Sequence, residues 1–401
     1  MTQANINTMR VRPSRGIILA FAALVIATLT MAFAARWSVP GRALLNLSGL
    51  AALVAGFSVW IALALAREAR VPREVLWPTT FIVALSAWYA SLGVAYGTDG
   101  AGLIRIAQLA AALILFVGAA LWIRRCPGCL PRSGWLLAWS SVLALGAVLS
   151  AFGPLAGQIN ANSVGMVGFV ALGVVFLAEQ SRIRKVFVIS IILLSLSAAV
   201  AVGARGALLA MMAFLVTYSL WTWLSAGVLR VWLPVFGAGI FSVVVVIALL
   251  NTDWWAWQPI DEWSREVFGR RVMSGRQDLW AAVLDAGRDR LWTGYGPSAS
   301  MMELTGQTLS AHNLFIQVLL QSGIVGLSVL LLVLVSVWFG LIRHSSGRVA
   351  RVGAGFFIGM VVLQSFEVAL TQNLFVFGAV FWILMGLSVG GRKVDGSAYG
   401  Q

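Results

Sequence analysis

Long apolar runs dominate this chain of 401 residues and restrict what it can fold into. Most of the runs are about 20 residues long, which is the length at which an α-helix crosses the hydrocarbon core of a bilayer. With 60% hydrophobic and 10% charged residues, the composition excludes an ordinary soluble domain. Backbone amides cannot stay unpaired in lipid, and the strict alternation of a membrane barrel strand is absent, so the runs should be helices. We therefore predict an all-α polytopic membrane protein.

Twelve apolar spans can be placed along the chain. They lie near residues 16–35, 43–66, 77–96, 103–123, 135–154, 164–180, 186–204, 207–227, 231–250, 324–342, 352–370 and 375–391. Nine helices then fall within 1–250 and three within 324–401, and residues 251–323 form a polar loop subdomain between them. No internal repeat divides the chain further. We expect one integral domain with a single subdomain outside the membrane.

Most of the 28 basic residues fall in alternate gaps between the predicted spans. Eighteen of them lie on one side of the membrane and ten on the other. Because cytoplasmic loops carry an excess of lysine and arginine, both termini are predicted in the cytoplasm and residues 251–323 in the periplasm, with the protein in a bacterial inner membrane. Topology then accounts for most of the net charge of +14, so a nucleic-acid partner is not expected.

Residues 251–323 are the only sizeable polar segment, so any water-facing chemistry should lie there. They hold eight of the fourteen carboxylates and one of the two histidines. Ser274 with Gln277 three residues later has the pattern of a capping box, and apolar periodicity up to Gly287 predicts a short helix with Arg276 at its amino end. Free backbone N–H groups and a guanidinium favour a phosphate or pyrophosphate there. The alternative is a solvated arginine that pairs with a neighbouring carboxylate.

His312 is the only histidine of the polar segment, since His344 falls in a basic gap on the cytoplasmic side. Ser310 is placed to cap a second helix, which would run to about Ser322 and end at Gly323. His312 would then lie in the first turn of that helix, where a single imidazole is a candidate general base. The alternative is a histidine that only hydrogen-bonds the loop.

Three further charged residues lie in or near apolar spans. Arg205 occupies a very short outer loop between Gly203 and Gly206, and a charge held at the membrane face is a functional candidate. Snorkelling of Arg205 to lipid headgroups is the alternative. Arg105 and Glu367 could pair with each other, or Arg105 could contact a lipid phosphate, and the sequence does not decide between these.

Several common catalytic motifs are absent from the sequence. It contains no D-x-D, no H-E-x-x-H, no P-loop and no G-x-G-x-x-G. Because the two histidines are predicted on opposite sides of the membrane, a histidine-rich metal site is excluded, and we expect no cofactor and no metal. Any phosphate chemistry would then rely on arginine in place of a divalent cation.

The C-terminal half carries a combination of motifs that together resemble a known family. They are Arg205 in a G-A-R-G-A turn, Ser274-Gly-Arg276 with Trp280 following, Gly294-Tyr-Gly296, and His312-Asn313 with Gly323 and Gly326 beyond. The combination resembles the O-antigen ligase/polymerase superfamily. In the N-terminal half the resemblance is confined chiefly to Asn160-Ala-Asn162-Ser163. The S-G-R…W and H-N motifs are fairly specific to the superfamily, but they separate its members poorly.

The resemblance implies an extracytoplasmic, metal-independent glycosyltransferase with a GT-C-like membrane fold. The donor would be a glycan on undecaprenyl pyrophosphate. In a ligase the acceptor would be a sugar of the lipid A core, and in a polymerase it would be another lipid-linked repeat. Twelve spans, one moderate loop and a chain of this length resemble the ligase branch.

The resemblance also implies roles for individual residues. Arg205 and Arg276 would hold the pyrophosphate, and His312 would accept the proton of the acceptor hydroxyl as it attacks C1 of the donor sugar. Direct displacement would invert the configuration at C1. Further candidates for contact with the substrates are Arg105, Asn160 and Asn313.

Two other functions remain open at this point. One is an O-antigen or exopolysaccharide polymerase of the same superfamily. The other is a transporter or flippase for lipid-linked glycans, which is a common role for proteins with twelve spans. Transporters usually place paired acids or broken helices at the bilayer midplane, whereas charge in the middle of these spans is nearly absent.

Overall fold

A computed structural model describes residues 73–125, 161–178, 185–221, 258–268, 276–301, 304, 306, 311–343, 348–371 and 375–391. Within these residues the protein is helical and contains no β-strand, in agreement with the predicted fold class. The spans predicted near 16–35, 43–66, 135–154 and 231–250 lie outside the described residues. The count of twelve spans therefore stays a prediction.

Ten α-helices make up the described part of the chain. Those before the polar segment are α1 (Arg73–Tyr96), α2 (Gly100–Arg125), α3 (Ala161–Ala178), α4 (Lys185–Ala201) and α5 (Arg205–Leu220). The polar segment contains α6 (Gln258–Phe268) and α7 (Arg276–Gly287), and a 3₁₀ turn, Arg288–Arg290, follows α7. The last helices are α8 (Leu314–Arg343), α9 (Arg348–Gln364) and α10 (Phe375–Gly390).

The described helices agree in position with eight of the predicted spans. Three helices, α1, α2 and α8, are long and apolar enough to cross a membrane. The other five are apolar over a shorter length: α3, α4, α5, α9 and α10. Their helical conformation is what the recurring hydrophobic runs predict, because an apolar run of about 20 residues can pair its backbone polar groups in lipid only as a helix.

Glycines bring pairs of these helices close together. In α9, a Cβ built on Gly355 or Gly359 would lie within 3.0 Å of a carbonyl oxygen of α5. Gly386 and Gly390 of α10 approach the backbone of α2 even more closely. Each pair is spaced by four residues, which puts both glycines on one helix face. Small residues at this spacing let helix backbones pack where lipid provides no hydrophobic drive for association.

The helices have a basic end, where loops and helix termini carry arginine and lysine. There the Arg124 side chain donates to the carbonyl of Gly390 (3.0 Å) and lies 3.6 Å from the carboxylate of Glu74, which joins α1, α2 and α10. Arg351 of α9 stacks on the ring of Tyr218 of α5, with 3.9 Å between guanidinium carbon and ring centroid. The opposite end, which we call the polar end, gathers the turn after α1, the starts of α3 and α5, the residues before α8 and the turn after α9.

Helix α8 is interrupted at Gly323. The residue has φ 65° and ψ −168°, so the first helical segment ends there as the sequence predicts, and the second coincides with the predicted span at 324–342. A Cβ on Gly323 would lie 2.2 Å from the carbonyl carbon of Trp292. The break therefore needs glycine both for its positive φ and for the close approach of a second chain segment.

The break also frees backbone carbonyls that have lost their helical donors. Their new donors are the N–H of Tyr295 for Leu320 (2.9 Å), the N–H of Gly296 for Gln321 (2.9 Å) and the indole of Trp88 for Ser322 (3.0 Å). In return, the N–H of Ile324 donates to the carbonyl of Leu291 (2.8 Å). These bonds hold the turn that follows α7 against the middle of α8.

A second, smaller apolar cluster lies in the polar segment. Its members are Leu279, Trp280, Val283, Met301, Ala311, Ile316 and Leu320. Trp280 and Val283 are each 1% exposed, as their helical spacing predicts, and α7 ends at the predicted Gly287. The cluster joins α7 to the first turns of α8 and so sets the position of the residues just before α8.

Candidate active site

His312 lies just before α8 and not in its first turn. The helix begins at Leu314, and the side-chain oxygen of Asn313 accepts the backbone N–H groups two and three residues later (2.9 and 3.2 Å). Asn313 is therefore the N-cap, and the prediction that placed His312 inside the helix was wrong. Serine and asparagine are equally good caps, so the sequence alone did not distinguish them. The predicted cap, Ser310, lies outside the described residues.

The backbone of His312 is in the left-handed region, with φ 46°. Among the described residues it is the only one other than glycine with a positive φ. Such conformations are uncommon for residues with side chains, and they persist when the surroundings hold them. Here the Asn313 cap follows His312, and the indole N–H of Trp280 donates to the carbonyl of Ala311 before it (2.7 Å). The imidazole is therefore presented from a constrained segment.

Glu367 is the carboxylate that faces the imidazole. Its Oε2 lies 3.4 Å from His312 Nδ1, and the residue is 7% exposed in the turn after α9. Its other oxygen accepts a hydrogen bond from the side-chain amide of Asn162, at the start of α3. A carboxylate on Nδ1 selects the tautomer with a proton there and leaves Nε2 as the nitrogen that can accept one. The three residues form a chain from Asn162 through Glu367 to His312.

Arg205 begins α5 at the same end of the protein. Its guanidinium donates to the hydroxyl of Ser264 on α6 (2.7 Å), and Ser264 is buried. A Cβ on Gly206 would lie 3.0 Å from the Cβ of Phe366, so the start of α5 packs directly beside the residue that precedes Glu367. The structure thus brings Arg205 into the neighbourhood of the histidine–glutamate pair.

Arg276 begins α7, as predicted, and so occupies the amino end of a helix of 12 residues. The first backbone N–H groups of such a helix lack intrahelical acceptors and, with the helix dipole, favour an anion. Two other residues of the prediction, the cap Ser274 and the proposed substrate contact Asn160, lie outside the described residues.

Arg105 and Glu367, which the sequence suggested as a pair, have different contacts. The Arg105 guanidinium donates to the carbonyls of Pro297 and Ala299, the latter at 3.1 Å. Glu367 is bound by Asn162 and His312 instead. Arg105 thus holds the turn that follows Gly296, and contact between Arg105 and a substrate stays a prediction.

The same turn is also held by the loop between α1 and α2. Asp99 Oδ1 accepts the backbone N–H of Gly102 and the hydroxyl of Ser298, both at 2.7 Å. The Gly102 N–H, followed by the Ser298 hydroxyl, holds the pKa of the exposed Asp99 carboxyl below its ordinary value, because both bonds favour the charged form. The Tyr96 hydroxyl lies 2.9 Å from that of Thr293. The segment before α8 is therefore anchored to α1 and α2.

Sequence reasoning missed two members of this site. Glu367 was noticed as an acid near an apolar span, but nothing in the sequence joined it to a histidine 55 positions earlier. Asn162 was noted only as part of a motif. The signal for Glu367 was its rarity, because an acid at the margin of a membrane span is expensive and usually has a specific partner.

The fold and this site define a helical membrane protein with a cluster of catalytic residue types at one end of its helices. Residues 190–331 match the family model described as O-antigen ligase. The match confirms the resemblance to the O-antigen ligase/polymerase superfamily, whose members are glycosyltransferase-like enzymes, and the matched segment contains Arg205, Arg276 and His312. A search of curated proteins gave no significant match.

Proposed function

We propose that the protein is an O-antigen ligase that transfers polysaccharide from undecaprenyl pyrophosphate to a sugar of the lipid A core in lipopolysaccharide biosynthesis. The observation that carries the proposal is the His312–Glu367 pair beside the start of α5, where Arg205 lies. A base next to groups that bind anions is the arrangement that glycosyl transfer from a diphosphate requires. The match of residues 190–331 to the O-antigen ligase family supports the same reaction class.

In the proposed reaction His312 is the general base. Its Nε2 takes the proton of the acceptor hydroxyl while the oxygen attacks C1 of the donor sugar. The bond between C1 and the pyrophosphate oxygen breaks, and its electron pair leaves with undecaprenyl pyrophosphate. Glu367 keeps the imidazole oriented and stabilises the imidazolium that forms, as carboxylates do behind catalytic histidines. A single displacement of this kind inverts the configuration at C1.

Arg205 and Arg276 are the groups proposed to hold the diphosphate. The leaving group is already good, so the main demand on the protein is to stabilise the negative charge that develops on it. Guanidinium groups bind phosphate oxygens bidentately, and the amino ends of α5 and α7 add backbone N–H groups and dipoles. Arginines can therefore supply the charge that a metal ion supplies in other transferases. Asn160 stays a proposed substrate contact, whereas Asn313 would act through the segment that it caps.

The proposed reaction takes place on the periplasmic side of the inner membrane, with both termini in the cytoplasm. What supports this orientation is the excess of arginine and lysine on the predicted cytoplasmic side, eighteen residues against ten, of which Arg73, Arg124, Lys185 and Arg343 lie at the basic end. Cytoplasmic segments carry such an excess, so the polar end would face the periplasm.

Cysteine labelling tests this orientation. In a chain with Cys126 and Cys129 replaced by serine, a Trp292→Cys variant should react with a membrane-impermeant maleimide in intact spheroplasts, because Trp292 is 67% exposed at the polar end. A Lys185→Cys variant, exposed at the start of α4, should react only after the membrane is permeabilised. The reverse pattern would contradict the orientation.

Purified protein with two acceptors distinguishes ligase from polymerase. Protein in proteoliposomes is given a glycan on undecaprenyl pyrophosphate, with lipid A core present or absent. A ligase forms a product on lipid A core and releases the lipid diphosphate. Growth of the glycan on its lipid carrier, with nothing on lipid A core, would assign a polymerase. Movement of the donor across the bilayer without a new glycosidic bond would assign a transporter.

A further inference from the structure

Trp280 connects two parts of the chain that act in the proposed reaction: the helix α7, which begins at Arg276, and the segment before α8, which carries His312. It follows Arg276 by one turn of α7 and is 1% exposed. Its indole N–H donates to the carbonyl oxygen of Ala311 at 2.7 Å, and Ala311 directly precedes His312. One side chain thus links the helix that begins at Arg276 to the segment that carries the base.

The bond holds the peptide plane that precedes the imidazole-bearing residue. The Ala311 carbonyl belongs to the plane that runs from Cα of Ala311 to Cα of His312, and φ of His312 is the backbone rotation that follows this plane directly. Ala311 is fully buried and lies outside any helix, so its carbonyl needs a donor from elsewhere. Trp280 holds the peptide plane before His312, and Asn313 after it is held by its side-chain bonds to the first turn of α8. His312 is therefore kept at φ 46°.

We propose that Trp280 is a positioning residue for the transfer reaction, which holds His312 in its left-handed conformation and in register with the amino end of α7. This inference rests on the proposed function. In this role Trp280 keeps His312 at a fixed distance from the amino end of α7, where the diphosphate is proposed to bind. Attack on C1 requires such control, because a misplacement of about 1 Å costs about 10²-fold in rate.

A purely structural role would also explain a buried tryptophan, since Trp280 belongs to the same buried apolar cluster as Val283, Ile316 and Leu320. A Trp280→Phe variant separates the two roles, because phenylalanine keeps an aromatic ring in the cluster and removes the N–H donor. Trp88→Phe is the matched control. It deletes the same kind of bond, from an indole to the backbone carbonyl of Ser322 (3.0 Å), without touching the segment that carries His312.

The test combines kinetics with hydrogen exchange on purified full-length protein in proteoliposomes. Trp280→Phe should lower kcat for glycan transfer by about 10²-fold and leave KM for donor and acceptor within about twofold. Backbone amides of residues 311–316 should exchange faster in this variant than in the parent. Trp88→Phe should change neither kcat nor exchange in this segment. Trp280→Leu, which also lacks a side-chain donor and stays apolar, replaces Trp280→Phe if the latter does not elute as a folded protein.

Three outcomes would overturn the inference: unchanged exchange in residues 311–316, faster exchange with an unchanged kcat, or equal losses of kcat in the Trp280 and Trp88 variants. If the parent protein transfers no glycan, the proposed function fails. The exchange measurement still decides whether Trp280 holds the segment before α8, because it needs no substrate.

Discussion

A His312→Asn variant should transfer glycan about 10²–10⁴-fold more slowly than the parent protein, which is the contribution of one positioned general base. Asparagine tolerates a φ of 46°, and its amide can still donate to Glu367, so the local structure should survive. It has no counterpart of Nε2, and the acceptor hydroxyl would then attack without a proton acceptor. The measurement is the initial rate of transfer by purified protein in proteoliposomes.

Asp285→Asn is the control for this variant. Asp285 is 75% exposed on α7 and pairs with Arg288 at 3.0 Å, in the same polar segment as His312. Exposed ion pairs of this kind contribute little to stability, so its transfer rate should equal that of the parent. A His312→Asn protein that transfers at the parent rate would remove His312 from the mechanism.

A Gly323→Ala variant should lower the free energy of unfolding by about 2–6 kcal/mol. About 1–3 kcal/mol comes from the backbone conformation at φ 65° and ψ −168°, which is essentially restricted to glycine, and about 1–3 kcal/mol comes from forcing a methyl group into filled space. The space is filled by backbone, since the new Cβ would lie 2.2 Å from the carbonyl carbon of Trp292 and cannot be relieved by a side-chain rotation. Unfolding titrations in mixed micelles measure the change directly.

Gly287→Ala is the matched substitution. Gly287 has φ −69°, and a Cβ added there would have no atom within 4 Å beyond its chain neighbours and the backbone of its own helix, so alanine fits without strain. It should be neutral or stabilise the protein by about 0.4–1 kcal/mol, because alanine restricts the unfolded chain. Equal stability losses at both positions would show that the break in α8 is not the cause.

Local features of this fold were predictable from the sequence. The end of α7 at Gly287 was predicted, although Gly287 keeps helical dihedral angles, and the break at Gly323, where φ is positive, follows from glycine after an apolar helical pattern. The positions of the apolar helices follow from run length. In both cases the information lies within a few residues of the element, and the rest of the protein does not override it.

The start of α8 was not predictable in the same way. Ser310 and Asn313 are both good caps, and which one is used depends on where the preceding segment is held. In the structure that segment is held from a distance, by the indole of Trp280 on the carbonyl of Ala311. A tertiary contact therefore decided a local boundary.

The candidate site required the fold for the same reason. The residue types, together with the scarcity of histidine in this chain, pointed to Arg205, Arg276 and His312. The partner of His312, however, comes from the turn after α9. Glu367 reaches the imidazole because α9 packs on α5 through its glycines and brings that turn to the start of α5. For Arg105 the sequence suggested a charged partner, but its guanidinium donates to the backbone carbonyls of Pro297 and Ala299. No sequence pattern reveals contacts of this kind.

The anomeric configuration of the product tests the central claim most directly. If His312, held by Glu367, activates an acceptor hydroxyl for direct displacement, the new glycosidic bond must have the configuration opposite to that of the bond to pyrophosphate in the donor. The one-bond carbon–proton coupling at C1, measured by NMR on product from purified protein, reports this configuration. Inversion is the predicted result. Retention would contradict it, because retention needs either two successive displacements or attack on the same face as the leaving group, and neither is a single direct displacement.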